Sequence, residues 1–266
     1  MAVVTRRAWL AAAAGCLVAS RGAAAAASSW VDQCQFGPFQ VRATFPLDST
    51  TALLNELPAL ELELRRVLAL KPCSEPIDIE LLSDKRQHRD YLRRRFPGTP
   101  YRRALFVRQS GRSTVFAYRD EELAVDLRHE CTHALLHADL AMVPLWLDEG
   151  LAEYFEMPKD QRAFGNPHEK LLHWDLRFGL VERLDRLEEK RDLSEMTSGD
   201  YRSAWAWTHF LLHGPPAAAQ QLWSFLNAIR RGEPPGRMSE RLESALPGVD
   251  GKLARHFQQW ARLTKR

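Results

Sequence analysis

RHECTHALLH, residues 128–137, places three histidines, one glutamate and one cysteine within ten positions. His129, Glu130 and His133 form the pattern H-E-x-x-H. On a helix, residues four positions apart share one face and lie about 6 Å apart along the axis, so both imidazoles can reach one ion. The pattern is typical of zinc held by two histidines, with the glutamate as general base. We predict a helix over 121–138 that carries this site.

The other side chains of this stretch are poor third ligands. His137 shares the face of His129 but lies about 12 Å further along the helix, so it would line the cleft, cap the helix or lie on the surface. Asp139 has the metzincin spacing, but that arrangement needs a glycine where residue 136 is leucine. Cys131 is rotated by about 200° from His129 and is predicted to be a small buried core residue.

A second helix can supply the missing ligand. MVPLWLDEGLAEYFE (142–156) contains Glu149 and Glu153 four positions apart, and Pro144 allows the chain to turn back. Two histidines and one glutamate form a known catalytic zinc set that leaves a position for water. We predict Glu149 as third ligand and Glu153 as hydrogen-bond acceptor for a ligand imidazole. The alternatives are Glu153 as the ligand, or as a solvated carboxylate.

The pair H-E-x-x-H and W-L-D-E-G-L-A-E-Y resembles the gluzincin metallopeptidases, most closely the peptidase MA-like group. The resemblance covers about residues 121–157, with a weaker match at 200–213. It implies a zincin-like (thermolysin-like) fold, zinc as the cofactor, Glu149 as the third ligand and Glu153 beside the ligands. It also implies that a strand before the zinc helix pairs with substrate backbone, either STVFAYR or RALFV. No G-x-M-E-N segment is present, so recognition of a free N-terminus is not supported.

The resemblance further implies a Tyr or His that donates to the oxyanion, downstream of the third ligand. SGDYRSAWAWTHFLL (198–212) offers Tyr201 and His209, which lie about 12 Å apart on a helix and cannot face one oxygen. Tyr201, at the helix start, is the predicted donor, with an interfacial tyrosine bonded to backbone as the alternative. His209, among tryptophans and leucines, is predicted to be a packed core histidine.

The remaining pattern predicts an α+β fold. Strands are predicted at 39–45, 77–82 and, as a hairpin, on both sides of Gly111. Helices are predicted at 53–70, from an Asp84 cap to Phe96, and at 147–157, 179–190, 200–213, 216–230 and 251–264. A sheet-containing part (28–120) would precede a helical part (121–266), with the zinc site where the two meet.

The N-terminus has the features of an export signal over residues 1–27. A basic start precedes an apolar stretch at 8–20, which is shorter than a membrane span, and small residues then favour cleavage after Ala27. Two adjacent arginines fit a Sec or a twin-arginine signal. The sequence before Cys16 lacks the usual leucine of a lipoprotein box, which disfavours a lipid anchor. We expect a periplasmic or secreted protein without a transmembrane segment after cleavage.

Export permits a disulfide, because the compartment is oxidising. The chain after residue 27 keeps Cys34, Cys73 and Cys131. Cys34 and Cys73 flank the first part of the domain and are the predicted pair. Cys131, inside the histidine motif, is expected to stay a free thiol.

The charge balance argues against a nucleic-acid partner. The formal net charge is +3, and without residues 1–27 the chain has 34 basic and 34 acidic residues. We therefore expect a peptide or protein as the substrate of a zinc metallopeptidase, in which Glu130 takes a proton from a zinc-bound water. Two alternatives stay open: a zinc amidase that cuts cell-wall peptide, and a non-catalytic binding module on the same fold.

Overall fold

A mixed β-sheet forms the N-terminal part of the fold. The computed structural model describes residues 3–4 and 30–263, so most of the predicted export signal, including Cys16, lies outside the described residues. The strands are β1 (Val3–Val4), β2 (Asp32–Phe36), β3 (Phe39–Ala43), β4 (Ile77–Leu82), β5 (Leu105–Gln109) and β6 (Arg112–Tyr118). Their order is β1-β5-β6-β4-β3-β2. The strands predicted at 39–45 and 77–82 and the hairpin around Gly111 are confirmed.

β5 lies toward one edge of the sheet, on the side where α3 packs against β5 and β6. β3, β4 and β6 run parallel, whereas β5 is antiparallel to β6. β5 is the outermost strand of the 30–263 region on that side, and Val3–Val4 pairs with it in antiparallel register. β6 is interior, between β5 and β4. Of the two strands proposed for substrate pairing, β5 alone therefore lies toward an edge.

Ten α-helices follow or interrupt the strands in the described residues. They are α1 (Thr51–Leu68), α2 (Lys85–Arg95), α3 (Leu123–Asp139), α4 (Leu145–Phe155), α5 (His168–Phe178), α6 (Leu184–Leu187), α7 (Ser198–His213), α8 (Pro216–Arg230), α9 (Met238–Ala245) and α10 (Val249–Leu263). The Asp84 carboxylate accepts from the amides of Arg86 and Gln87, as its predicted cap role requires. The helix predicted at 179–190 is wrong. Gly179 ends α5 in a left-handed conformation, and only the short α6 follows.

The core lies between the sheet and the helices. α1 and α3 cover one face of the sheet, where buried Val41, Ile79 and Val115 line up across three strands. α2 covers the other face through a smaller apolar cluster that includes Leu92 and Phe116. The described residues thus form an α+β arrangement. It places α3, the helix with the histidine motif, between the sheet and the later helices.

The predicted Cys34–Cys73 disulfide is not formed. Cys34 is exposed on the outer strand β2, whereas Cys73 is half-buried and packs against the core. Both are free thiols, and burial raises the pKa of Cys73 to about 11. Cys131 is buried in α3, as predicted, and burial raises the pKa of its thiol well above the usual value.

Across residues 30–263 and the Val3–Val4 strand, no helix is both long enough and apolar enough to cross a bilayer.

Candidate metal centre

Two helices bring three ligand side chains together in the interior. His129 and His133 lie on α3, and Glu149 lies on α4, which packs against α3 after the chain turns at Pro144. All three side chains are buried. One ligand atom from each lies within 4.8 Å of the others, so the set could hold a metal ion. The returning helix predicted from the sequence thus exists and faces the histidines.

The spacing of these atoms suits one ion. Ligand atoms about 2.0–2.1 Å from a tetrahedral zinc lie about 3.4 Å from each other. The Nε2 atoms of His129 and His133 are 3.1 Å apart. Glu149 oxygens lie 3.7 Å from His129 Nε2 and 3.8 Å from His133 Nε2. Two ring nitrogens and a carboxylate therefore surround a space of about the size of a zinc ion.

The second nitrogen of each ligand ring faces a carboxylate of or next to α4. Glu156 Oε2 is 2.8 Å from His129 Nδ1. Asp148 Oδ1 is 3.0 Å from His133 Nδ1, off the direction of a linear hydrogen bond. A carboxylate at Nδ1 fixes the tautomer that leaves Nε2 without a proton, which is the form that binds metal. The pocket thus orients both imidazoles toward the ion position.

Asp148 also joins a third histidine to the site. His137 Nε2 is 3.1 Å from Asp148 Oδ2, and the His137 ring stacks on Phe106 of β5. The surface position considered for His137 is therefore wrong, because the side chain is buried. His137 does not reach the three ligands but connects β5 to the carboxylate that orients His133.

Glu153 occupies a neighbouring position. We expected it to accept a hydrogen bond from a ligand imidazole, and the shortest such contact, at His129, is made by Glu156. Glu153 Oε2 instead lies 2.9 Å from Nε2 of His168, at the start of α5. Glu153 is buried rather than solvated, and it forms a second potential metal-binding group with His129 and Glu156. Glu153 therefore lies next to the Nδ1 side of His129, outside the set formed by His129, His133 and Glu149.

Glu130 is held in place by the sheet. Its Oε2 accepts a hydrogen bond of 2.9 Å from the backbone N–H of Phe106 in β5. The side chain is buried beside the two histidines that flank it in α3. The carboxylate proposed as general base is thus fixed between the metal pocket and the edge-side strand.

The carboxylates make the pocket favourable for a cation. Burial alone would lower the pKa of His133, but the neighbouring carboxylates, Asp148 foremost, outweigh it and raise the pKa to about 9. Burial would raise the pKa of Asp148, yet His133 and His137 hold it well below its usual range. Positive charge at the His133 position is therefore stabilised by its surroundings.

Gly150 explains how α7 approaches the site. A Cβ atom at this glycine would lie 2.3 Å from Thr208 Oγ1 and 2.5 Å from the carbonyl oxygen of Ala204. Because α4 carries no side chain here, α7 packs directly against it. Further along, Tyr154 OH lies 2.7 Å from His213 Nε2, so the two helices run in the same direction. Tyr201, in the first turn of α7, is half-buried.

His209 is a packed core histidine, as predicted. Its Nδ1 lies 2.9 Å from His256 Nε2, and its Nε2 lies 3.2 Å from the carbonyl oxygen of Ala163. Burial, with smaller effects from His213 and His256, lowers the pKa of His209 well below its usual value. His209 is thus buried and hydrogen-bonded within the helical core, so Tyr201 stays the predicted oxyanion donor.

Four contributors to the site were missed in the sequence: Asp148, Glu156, His168 and the Phe106 amide. Glu149, Glu153 and Glu156 follow i, i+4, i+7 spacing on α4, so three acids on one buried stripe were a usable signal for Glu156. The Phe106 amide had no signal, because backbone donors are chosen by tertiary packing and not by residue type.

No protein-family model matches the chain, and no curated protein sequence matches it significantly. Function is therefore inferred from the geometry of the site.

Proposed function

We propose that this protein is a zinc metallopeptidase of the gluzincin type, on a zincin-like fold. The supporting observation is the buried set His129, His133 and Glu149, with Glu130 beside it. Two histidines and one glutamate leave a fourth position for water, which distinguishes a catalytic from a closed structural site. Zinc is the metal that this donor set favours, since imidazole and carboxylate suit it in tetrahedral geometry.

The residues divide the chemistry among them. Zinc, when bound, supplies Lewis acidity that activates water and polarises the scissile carbonyl. Glu130 takes a proton from the attacking water and returns it to the leaving amine as the C–N bond breaks. The Phe106 N–H keeps the Glu130 carboxylate oriented. Tyr201, from the start of α7, donates a hydrogen bond to the carbonyl oxygen as negative charge develops there.

The substrate backbone is proposed to pair with β5. Phe106 in this strand contacts Glu130, so a chain aligned along β5 passes the catalytic base. The pairing of Val3–Val4 with Val107 and Arg108 shows that the outer side of β5 accepts an extended segment. Hydrogen bonds to backbone recognise a peptide with little dependence on its side chains, which fits a peptide or protein substrate.

Glu130 also bears on the alternative of a binding module. A module that only holds zinc or a ligand has no use for an ionisable carboxylate fixed beside the water position. A zinc amidase for cell-wall peptide would use the same residues, so substrate alone separates it from a peptidase. Export to the cell envelope is proposed with either activity.

The direct test is cleavage of a proteome-derived peptide library and of cell-wall peptides by the purified protein. We expect new peptide termini that disappear with a chelator and return when zinc is added. Cleavage confined to cell-wall peptide would replace the peptidase by the amidase. Bound zinc without cleavage of either substrate set would favour the binding module.

A further prediction concerns Asp148, the carboxylate shared by His133 and His137. Asp148→Asn should lower zinc affinity by about 10–100-fold, because the amide cannot accept from both rings and no longer fixes the His133 tautomer. Competition with a chromophoric chelator measures the affinity. Cys131→Ala is the matched control, since it alters a buried position of α3 that faces away from the site. An unchanged affinity in Asp148→Asn, or an equal loss in the control, would contradict this role.

A further inference from the structure

Exposed apolar side chains concentrate in one segment. Nine large hydrophobic residues are exposed within the described chain, and five of them lie between residues 164 and 180. The five are Phe164, Leu171, Trp174, Phe178 and Leu180. Scattered exposed hydrophobics are ordinary on a soluble protein, whereas a cluster marks an interaction surface.

α5 has one buried face and one exposed apolar face. Leu172 and Asp175 are buried and hold the helix against the domain. Leu171, Trp174 and Phe178 follow i, i+3, i+7 spacing on the outer side and are all exposed. The Trp174 and Phe178 rings lie parallel, 6.0 Å between centroids. We call Leu171, Trp174 and Phe178, together with Leu180 just beyond the end of the helix, the outer face of α5.

The fully exposed charged side chains next to the outer face are basic. Between residues 161 and 184, the exposed ionisable side chains are those of Lys170, His173, Arg177 and Arg183. Arg183 pairs with Asp185, but neither Lys170 nor Arg177 pairs with a carboxylate in the part of the chain that the structure describes. The Arg177 guanidinium lies 5.9 Å from the Trp174 and Phe178 ring centroids, so cation and aromatic rings form one surface.

The acidic side chains of the same segment form an ion pair or accept hydrogen bonds from backbone amides. The Asp175 carboxylate forms an ion pair with Arg202 of α7. Glu169 accepts from the amide of Gly165 at 3.0 Å, and Glu182 accepts from the amide of Arg183 at 3.1 Å. These carboxylates are half-buried or buried, so the most exposed unpaired charges beside the outer face are those of Lys170 and Arg177.

We propose that the outer face of α5 binds the surface of an anionic phospholipid bilayer. Tryptophan and phenylalanine favour the region between headgroups and acyl chains, and lysine and arginine beside them attract anionic headgroups. A helix of 11 residues is about 16 Å long, which is shorter than a membrane span. We therefore propose that α5 lies with its axis in the plane of the interface. The proposal rests on apolar exposure and charge, and it does not depend on the metal chemistry.

Vesicle sedimentation of the full chain tests the proposal, with phosphatidylcholine alone and mixed with phosphatidylglycerol. Trp174→Ala/Phe178→Ala and Lys170→Gln/Arg177→Gln should each weaken binding to the anionic vesicles by about tenfold or more. Trp223→Ala is the matched control, because Trp223 of α8 is 46% exposed against 55% for Trp174. Every variant carries the same N-terminal segment, so any binding by that segment is common to all of them.

A local readout separates α5 from the rest of the chain. Lipids brominated on the acyl chains should quench part of the tryptophan fluorescence, and this part should vanish in Trp174→Phe but persist in Trp223→Phe. Unchanged quenching in Trp174→Phe would overturn the proposal, as would equal binding by both double variants and wild type. A dimer in solution that Trp174→Ala/Phe178→Ala converts to monomer would assign the face to a second copy and also overturn it. The exposed Lys170→Gln/Arg177→Gln variant stays informative if the aromatic variant fails to fold.

Discussion

Glu130→Gln is expected to lower kcat by about 10²–10⁴-fold while zinc stays bound, which is the range for loss of a general base. Glutamine has nearly the shape of glutamate. Its amide oxygen can still accept the hydrogen bond that the Phe106 N–H donates to Glu130 at 2.9 Å. The amide cannot take a proton from water, so the chemical step alone should slow. Substrate binding along β5 should change little, and KM with it.

Three measurements make this expectation specific to Glu130. Metal content by mass spectrometry should equal that of the wild type, because Glu130 is not among the three ligands. The melting temperature should show that the fold is retained. Glu121→Gln, at an exposed acid just before α3, is the matched control and should keep full activity. Near-normal turnover by zinc-loaded Glu130→Gln would remove Glu130 from the mechanism and reopen the binding-module alternative.

Local geometry explains which parts of the site could be predicted. His129 and His133 share a face because helical periodicity fixes side chains four residues apart, whatever the tertiary structure. α3 ends at Asp139, and Pro144 directly precedes α4, the returning helix that brings Glu149 to the histidines. His209 could be placed in the core because apolar residues surround it in sequence as well as in space. These inferences needed only contacts within one or two neighbouring helices.

Choices set by packing between distant elements could not be predicted. Glu153 and Glu156 lie on one stripe of α4, and a small rotation of that helix decides which of them is nearer to His129. The sequence does not specify this rotation, and the structure brings Glu156 to 2.8 Å. The Cys34–Cys73 prediction was wrong for a similar reason, because chain order does not show that the outer strand holds Cys34 in solvent.

Glu149→Ala should lower zinc affinity by more than about 100-fold, because even outer partners of a ligand contribute about 10–100-fold. Glu149 oxygens lie 3.7 Å from the Nε2 atom of His129 and 3.8 Å from that of His133. Without it, two imidazoles alone would hold the ion. Zinc stabilises the protein because it binds the folded form. When free zinc is 100 times the dissociation constant, this binding adds about 2.7 kcal/mol to the free energy of unfolding. The rise in melting temperature on adding zinc should therefore be lost in this variant.

Glu153→Ala distinguishes the two candidate third ligands, since it removes a buried carboxylate one turn further along α4. If Glu149 is the ligand, Glu153→Ala should keep most of the zinc-induced rise in melting temperature. Its loss of zinc affinity should be smaller, because Glu153 contacts His168 and lies near His129 without binding the ion. The opposite ranking, with Glu149→Ala binding zinc normally and Glu153→Ala not, would move the ion to the group formed by His129, Glu153 and Glu156. That position lies on the Nδ1 side of His129, where Glu130 and His133 would not share the ion. The pair of variants thus tests the metal position and the placement of the catalytic base together.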